Sequence, residues 1–113
     1  MHELSIAMGI IDIAHQEAAK AGVGHFDGIE LVIGELSGVE MASFDFAWQQ
    51  AIKGTVLEHA ALEIIRPPGN AKCLECGHPF AVSQIYDLCP VCQSHFKEII
   101  SGKELRVKSL SLD

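Results

Sequence analysis

Residues 72–94, KCLECGHPFAVSQIYDLCPVCQS, carry the pattern that decides the fold of the second half of the chain. Two Cys-x-x-Cys pairs, Cys73 with Cys76 and Cys89 with Cys92, are separated by twelve residues. Two such pairs, each on a tight turn, are typical of a closed tetrahedral zinc site with four thiolate ligands. A lobe of this size buries too little apolar surface to fold by itself, so the metal would supply much of its folding free energy. We therefore predict a structural zinc site in a zinc-ribbon-like lobe.

Two other uses of these cysteines, a redox dithiol and a catalytic zinc site, fit the pattern less well. A thioredoxin-like motif has a single pair that opens a helix after a strand. Four thiolate ligands leave no open position for a substrate. Gly77 directly follows the first cysteine pair, and Gln93 directly follows the second. Because this position of the turn needs positive φ, glutamine fits it less well than glycine. His78 and His95 are expected to be polar neighbours of the site rather than ligands.

The segment PPGN, residues 67–70, is the sharpest break in the chain. Two consecutive prolines fix φ and cannot donate hydrogen bonds to a strand ladder. We therefore predict a first lobe at 1–68 and a second, zinc-binding lobe at 69–103. Strand-like alternation resumes after the cysteines, so a C-terminal strand at about 104–112 is expected to return to the first lobe and complete it.

The first lobe begins with an amphipathic helical pattern from Leu4 to about Ala21. Apolar or large residues recur at steps of three and four, which predicts one buried stripe along the helix. The stripe consists of Leu4, Met8, Ile11, His15 and Ala18. We therefore expect Met8 in the core rather than at a metal site. Gly22 and Gly24 supply the left-handed conformation that ends helices.

The rest of the first lobe is predicted to contain strands and a second helix. Residues 28–36, GIELVIGEL, alternate as a strand does, and 61–66, ALEIIR, form another short strand. Between them, 44–52, FDFAWQQAI, predicts a helix capped by Ser43 or a neighbouring residue. Its buried face would consist of Phe44, Ala47, Trp48 and Ala51. The predicted fold class is α+β.

The charge distribution disfavours several classes of partner. The chain of 113 residues has a formal charge of −7, and all of it lies in residues 1–68, which hold ten acidic and three basic side chains. Phosphate backbones are held by Lys and Arg, so we expect no nucleic acid partner. No apolar run is long enough for a membrane helix, and the N-terminus lacks the pattern of a signal peptide. We therefore expect no membrane span and a cytoplasmic location, where reduced cysteines favour metal over disulfides.

The first three residues, Met1, His2 and Glu3, form a second candidate metal site. The α-amine of Met1, the amide nitrogen of His2 and its Nδ1 atom can close fused five- and six-membered chelate rings. The amide nitrogen or carboxylate of Glu3 could complete the set. A nitrogen-rich planar set suits Ni(II) or Cu(II). The alternative is an ordinary solvated helix start, where an acidic residue favours the first turn.

Five stretches taken together resemble the HypA/HybF family of nickel metallochaperones. They are MHELSIA at 1–7, IGELSGVE at 33–40 followed by FDFAWQQAIKGT at 44–55, CLEC at 73–76 and CPVC at 89–92. The resemblance covers essentially the whole chain in order. It implies a small nickel-binding α/β lobe, with two helices on a small sheet, followed by the four-cysteine zinc-ribbon-like lobe.

The resemblance also implies function, ligands and partners. The protein would bind Ni(II) as cargo through Met1, His2 and Glu3, and structural Zn(II) through the four cysteines. It would deliver nickel during [NiFe]-hydrogenase maturation, and in some bacteria to urease. Its expected partners are the GTPase HypB and the hydrogenase large subunit, with urease accessory proteins as further candidates. The expected mechanism is ligand exchange and not catalysis.

Two alternatives from other classes remain at the level of sequence. One is a zinc ribbon recruited to nucleic acid or a transcription complex, which the cysteines permit and the charge disfavours. The other is an enzyme, either a dithiol oxidoreductase or a metal hydrolase. The sequence contains no recognisable nucleophile–base arrangement, phosphate-binding loop or open zinc site.

Overall fold

A computed structural model describes residues 2–113 and contains two helices and two three-stranded sheets. In chain order the elements are α1 His2–Ala21, β1 Gly28–Ile33, α2 Met41–Ala51, β2 Ala61–Ile65, β3 Gly69–Cys73, β4 Pro79–Val82, β5 Lys97–Ser101 and β6 Leu105–Ser111. The strand orders are β2-β1-β6 and β4-β3-β5. The predicted α+β class is confirmed. In the described residues, neither helix has the length and apolar character needed to cross a bilayer.

The chain divides into two compact units. The first contains the residues up to 31, 39–64 and 106–113, and the second contains 32–38 and 65–105. The short segment 32–38 thus belongs to the compact unit that holds the cysteines. The boundaries inferred from sequence, 1–68 with 104–112 and 69–103, remain a prediction.

Helix α1 buries a narrow stripe made mostly of small side chains. The buried residues are Ala7, Ile10, Ile11, Ala14 and Ala18. Of the predicted stripe, Ile11 and Ala18 are buried, but the prediction is wrong for Leu4, Met8 and His15, which are exposed; Met8 is 55% exposed. Met8 follows the buried Ala7 by one position and is therefore rotated about 100° around the helix. The helix ends as predicted at Gly22, which has φ +69°.

Helix α2 is capped by Glu40, whose carboxylate accepts the Ser43 N–H at 2.9 Å. The buried face consists of Phe44, Ala47 and Trp48, as the sequence pattern predicts, whereas Ala51, predicted to join them, is only half-buried. The rings of Phe44 and Trp48 stack with centroids 5.8 Å apart, one helical turn from each other. Aromatic burial of this kind fixes which side of α2 faces the core.

The first sheet has β1 at its centre, with β2 and the C-terminal β6 on either side. Ile29, Leu31 and Ile33 are buried on β1, which matches the predicted alternation, and Val32 is buried as well. A central strand that is covered on both faces reads as a continuous apolar run, and the LVI portion of β1 has that character.

The second sheet pairs β3 in antiparallel fashion with β4 and β5. The segment 32–38 adds to this unit through the backbone, since the Leu36 N–H donates to the Gly102 carbonyl at 2.6 Å. Gly102 has φ +112°, and a Cβ atom there would lie 2.8 Å from the Gly69 Cα atom. The close approach of these chains therefore requires glycine at position 102.

Candidate metal sites

The structure brings the four cysteines of the second unit together. Their Sγ atoms all lie within 4.8 Å of one another. Cys73 and Cys89 are buried, whereas Cys76 and Cys92 are exposed. Within residues 2–113, no other group of three or more His, Cys, Asp or Glu side chains meets the same distance condition.

The two cysteine turns have the same backbone design. In the first, the Gly77 N–H donates to the Cys73 carbonyl at 3.0 Å, and in the second the Gln93 N–H donates to the Cys89 carbonyl at 2.8 Å. Gly77 has φ +79° and Gln93 has φ +61°. Gln93 therefore adopts the left-handed conformation that its position demands, although it carries a Cβ atom that disfavours it.

One further backbone hydrogen bond closes each turn. The Cys73 N–H donates to the His78 carbonyl at 2.9 Å, and the Cys89 N–H donates to the Ser94 carbonyl at 3.1 Å. In each turn the first cysteine is thus held by its own N–H and its own carbonyl. This leaves both buried sulfurs fixed by backbone rather than by side-chain packing alone.

The sulfur positions fit a tetrahedral ion. The Cys73 and Cys92 Sγ atoms are 3.5 Å apart, and the Cys76 and Cys89 Sγ atoms are 3.6 Å apart. Four sulfurs at about 2.3 Å from a central zinc would be separated by about 3.8 Å. The donor set contains only sulfur, which selects a thiophilic ion such as zinc over calcium or magnesium.

The surroundings of the two turns shift the pKa values of Cys73 and Cys92 in opposite directions. The Cys76 N–H, which lies 3.4 Å from the Cys73 Sγ atom, is the main cause that lowers the pKa of Cys73 to about 6. The Ser94 N–H lowers the pKa of Cys92, but the neighbouring thiols, Cys73 first, together with burial outweigh it and raise that pKa to about 12. Four clustered thiols cannot all ionise without a cation, whereas a divalent metal favours the thiolate at each of them.

His78 and His95 do not join the sulfur cluster. Both side chains are exposed, and neither belongs to the group of side chains that meets the distance condition. His78 contributes to the site through its carbonyl oxygen, which accepts the Cys73 N–H.

The other candidate site lies at the start of α1. Met1 lies outside the described residues, so its predicted part in the site stays a prediction. The His2 side chain is 63% exposed, and its Nδ1 atom lies 3.4 Å from the Glu3 Oε2 atom. The Glu3 carboxylate also accepts the Glu40 backbone N–H at 3.2 Å. The carboxylate of Glu3 is therefore held between the start of α1 and the start of α2.

The environment of Glu3 keeps its carboxyl group ionised. The Glu40 N–H is the largest cause of a pKa below the usual value, followed by the N–H of Glu3 itself, with smaller contributions from His2. A carboxylate that accepts backbone N–H donors favours its charged form. The structure thus sets a negative charge next to the exposed imidazole.

Glu40 is a residue that sequence reasoning missed at this site. It caps α2 with its side chain and holds Glu3 with its backbone N–H. Glutamate is not among the residues preferred at the N-cap, which are Ser, Thr, Asp and Asn, so local pattern did not point to Glu40. The contact with Glu3 spans 37 positions of sequence, so no local pattern could reveal it.

The whole chain matches a known protein family. Residues 1–112 match the family model described as hydrogenase/urease nickel incorporation, metallochaperone, hypA. The chain belongs to the HypA family. This confirms the family resemblance. It also confirms the prediction that the protein is a nickel-incorporating metallochaperone of hydrogenase maturation rather than an enzyme.

Individual relatives are similar to this chain in sequence along their full lengths. The chain is 41% identical over 113 residues to the hydrogenase maturation factor HypA of Prosthecochloris aestuarii, and 39% identical over 113 residues to that of Alkalilimnicola ehrlichii, with 100% of both chains covered in each case. Among solved structures, the nickel metallochaperone HypA of Helicobacter pylori is similar, with 26% identity and a TM-score of 0.68 over 97% of this chain and 96% of that one.

Proposed function

We propose that the chain binds Ni(II) through Met1, His2 and Glu3 and releases it to a [NiFe]-hydrogenase during maturation, while Zn(II) at Cys73, Cys76, Cys89 and Cys92 holds the second unit together. The observation that carries the nickel part is the contact between His2 and Glu3, in which the imidazole and a carboxylate oxygen lie 3.4 Å apart at an exposed helix start. The observation that carries the zinc part is the four-sulfur cluster.

The start of a helix suits chelation by backbone nitrogen. The first four N–H groups of an α-helix have no carbonyl four residues earlier to accept them. The His2 and Glu3 amides belong to this group because α1 begins at His2. A metal ion that takes the place of an amide proton there would not break a helical hydrogen bond.

The exposure of the site supports release as well as binding. A recipient can approach the open side of His2 and replace the ligands of nickel one at a time. Glu3 is less accessible, with 15% of its side chain exposed, and it stays anchored to Glu40. We expect Glu3 to orient the site and to contribute its amide nitrogen or carboxylate, while His2 and the α-amine bind and release.

The proposed zinc site is held more firmly than the start of α1. Two of its four sulfurs are buried, and each turn is closed by two backbone hydrogen bonds. When bound, zinc would supply a fixed tetrahedral cross-link between the two turns. Residues Cys73 and Cys89 would hold it from the inside, and Cys76 and Cys92 from the solvent side.

The proposed partners are the GTPase HypB and the hydrogenase large subunit, with urease accessory proteins as further candidates, and the proposed location is the cytoplasm. Membership of a hydrogenase/urease nickel-incorporation family supports a place in that maturation machinery. The acidic charge of residues 1–68 supports protein partners over nucleic acid.

The experiment that tests the nickel site compares two N-termini by calorimetry. One protein keeps the native start, and the other carries two extra residues before Met1; both are loaded with zinc. The extension removes the free α-amine from its place beside His2, so we expect it to abolish a one-site nickel isotherm. Zinc content and far-UV circular dichroism should be equal in both. Equal nickel binding by the two proteins would refute an amine-based site.

A further inference from the structure

Helices α1 and α2 leave an apolar groove of about 500 Å³ open on the surface of the first unit. The groove is lined by Leu4, Ala42, Ser43, Phe46, Ala47 and Gln50. Most of these side chains are apolar, so the floor of the groove offers few groups that water can solvate. Neither the nickel site nor the zinc site uses this surface.

Large apolar side chains stand exposed at this groove. Phe46 is 70% exposed and Leu4 is 36% exposed. Met8 follows Leu4 by four positions, so it lies on the same face of α1 and extends the apolar surface along that helix. Single exposed apolar residues are ordinary, but a contiguous apolar surface on two adjacent helices marks an interaction site. Met8, which the helical pattern predicted to lie in the core, is therefore part of this surface.

The charge around the groove is mostly negative. Glu3 precedes Leu4, Glu40 lies two positions before Ala42, and Asp45 precedes Phe46. Residues 1–53 contain eight acidic side chains and two basic ones, Lys20 and Lys53, and Lys53 donates to the side chain of the groove residue Gln50 at 3.1 Å. The groove therefore lies in a negative field, which attracts basic surfaces and repels acidic ones.

We propose that this groove binds a basic amphipathic helix of another protein. Its apolar residues would pack on Leu4, Met8 and Phe46, and its Lys and Arg side chains would face Glu40 and Asp45, which are both exposed. Helices that lie in a surface groove are recognised through such apolar anchors at helical spacing. A second copy of the chain would bring an equally acidic rim to the contact, and nucleic acid would bring phosphate, so charge favours neither.

This inference goes beyond the proposed nickel function and does not depend on it. The groove starts at Leu4, directly after Glu3, so a bound helix would lie beside the proposed nickel ligands. Binding to the groove can nevertheless be measured without nickel, which keeps a failure of the docking proposal separate from a failure of the nickel site.

The test uses the full zinc-loaded chain without nickel and three fluorescein-labelled peptides of about sixteen residues, a length that supports a helix. The first has Leu at positions i, i+3, i+4 and i+7 with Lys and Arg on its other faces. The second replaces the basic residues by Glu, and the third has the composition of the first in an order that removes the apolar stripe. Fluorescence anisotropy should show saturable binding of the first peptide alone, weakened by a rise in salt to about 0.5 M.

Matched variants locate the binding surface. Phe46→Gln and Met8→Gln alter exposed side chains, so both should fold. Phe96→Gln is the control, because Phe96 is 64% exposed and lies in the second unit. We expect Phe46→Gln to weaken binding by about tenfold or more, as loss of an aromatic anchor does, and Phe96→Gln to leave it within about twofold. In protein labelled at the methionine methyl groups, the Met8 signal should shift on addition of the peptide.

Several outcomes would overturn the proposal. They are equal binding of the acidic or scrambled peptide, equal loss of binding in Phe96→Gln and Phe46→Gln, and no binding of the basic peptide at all. Sedimentation of the unbound protein covers self-association, because a dimer that Phe46→Gln dissociates would make a second copy the occupant and refute a basic helix.

Discussion

The four-cysteine cluster and the start of α1 hold their candidate ligands in opposite ways. The sulfurs lie in two turns that are each closed by two backbone hydrogen bonds, and two of the four are buried. At the start of α1, the His2 imidazole is exposed and has one carboxylate neighbour, Glu3, which is itself tied to Glu40. A site with four thiolate ligands and two buried sulfurs exchanges its ion slowly, whereas an exposed site permits stepwise replacement of its ligands. The proposed assignments therefore separate a metal that supports the fold from a metal that is handed on.

The largest expected effect is the loss of zinc from the second unit. Removal of zinc by a chelator, or Cys73→Ser, should unfold this unit, since structural zinc binding is worth about 10–16 kcal/mol in small zinc-binding peptides. Amide signals from β3, β4 and β5 should collapse, and those of α1 and α2 should persist. His95→Ala is the control, because His95 lies beside the cysteines without joining them. Native amide spectra of the second unit in zinc-free protein would contradict a structural role.

The next effect concerns pH at the proposed nickel site. The α-amine and the imidazole must lose their protons to bind metal, so protons compete with nickel and the affinity should fall as the pH falls. We expect nickel binding to weaken by about tenfold or more between about pH 8 and about pH 6. Calorimetry over that range measures it, with circular dichroism to establish that the fold is unchanged. A constant affinity would indicate ligands that do not titrate, which the N-terminal set cannot provide.

A smaller effect is expected from the Glu40 side chain, which caps α2. Glu40→Ala removes the acceptor of the Ser43 N–H, and loss of an N-cap costs about 1 kcal/mol. Chemical denaturation of the zinc-loaded protein should show this loss, and the backbone bond to Glu3 should survive because it uses the Glu40 N–H. Glu35→Ala is a suitable control, since Glu35 is an exposed glutamate that caps neither helix. Equal stability of the two variants would show that the cap contributes nothing measurable.

The smallest effect distinguishes the two cysteine turns from each other. Gln93 adopts φ +61° with a side chain, whereas Gly77 adopts φ +79° without one. Gln93→Gly should therefore stabilise the zinc-loaded protein by up to about 1 kcal/mol, and Gly77→Ala should destabilise it by a similar amount. Thermal unfolding of both variants measures the difference. A Gln93→Gly variant that is less stable than the parent, or a Gly77→Ala variant that is more stable, would mean that backbone strain at these two positions does not limit stability.

Local chemistry made parts of the molecule predictable from sequence. The paired cysteines gather because each pair needs only a tight turn, and the buried face of α2 follows from the spacing of Phe44, Ala47 and Trp48. The end of α1 at Gly22 follows from the left-handed conformation that glycine permits. Each of these features is set by residues within a few positions of one another.

Features that depend on distant residues were not predictable in this way. The apolar pattern of α1 is broad, so spacing alone could not show that the core accepts Ala7 and Ala14 and leaves Met8 outside. The contact of Glu3 with Glu40 and the placement of 32–38 in the second unit join residues far apart in sequence. Tertiary packing decides such features, and periodicity does not report it.

The most direct test of the contrast between the sites is a metal-release measurement. Protein loaded with one zinc and one nickel is mixed with excess chelator, and the two metals in the protein fraction are quantified over time. We predict that nickel leaves first, that zinc stays with the protein for much longer, and that the fold is intact after nickel is lost. Simultaneous release, or loss of zinc before nickel, would contradict the division into a retained structural ion and an exchangeable cargo.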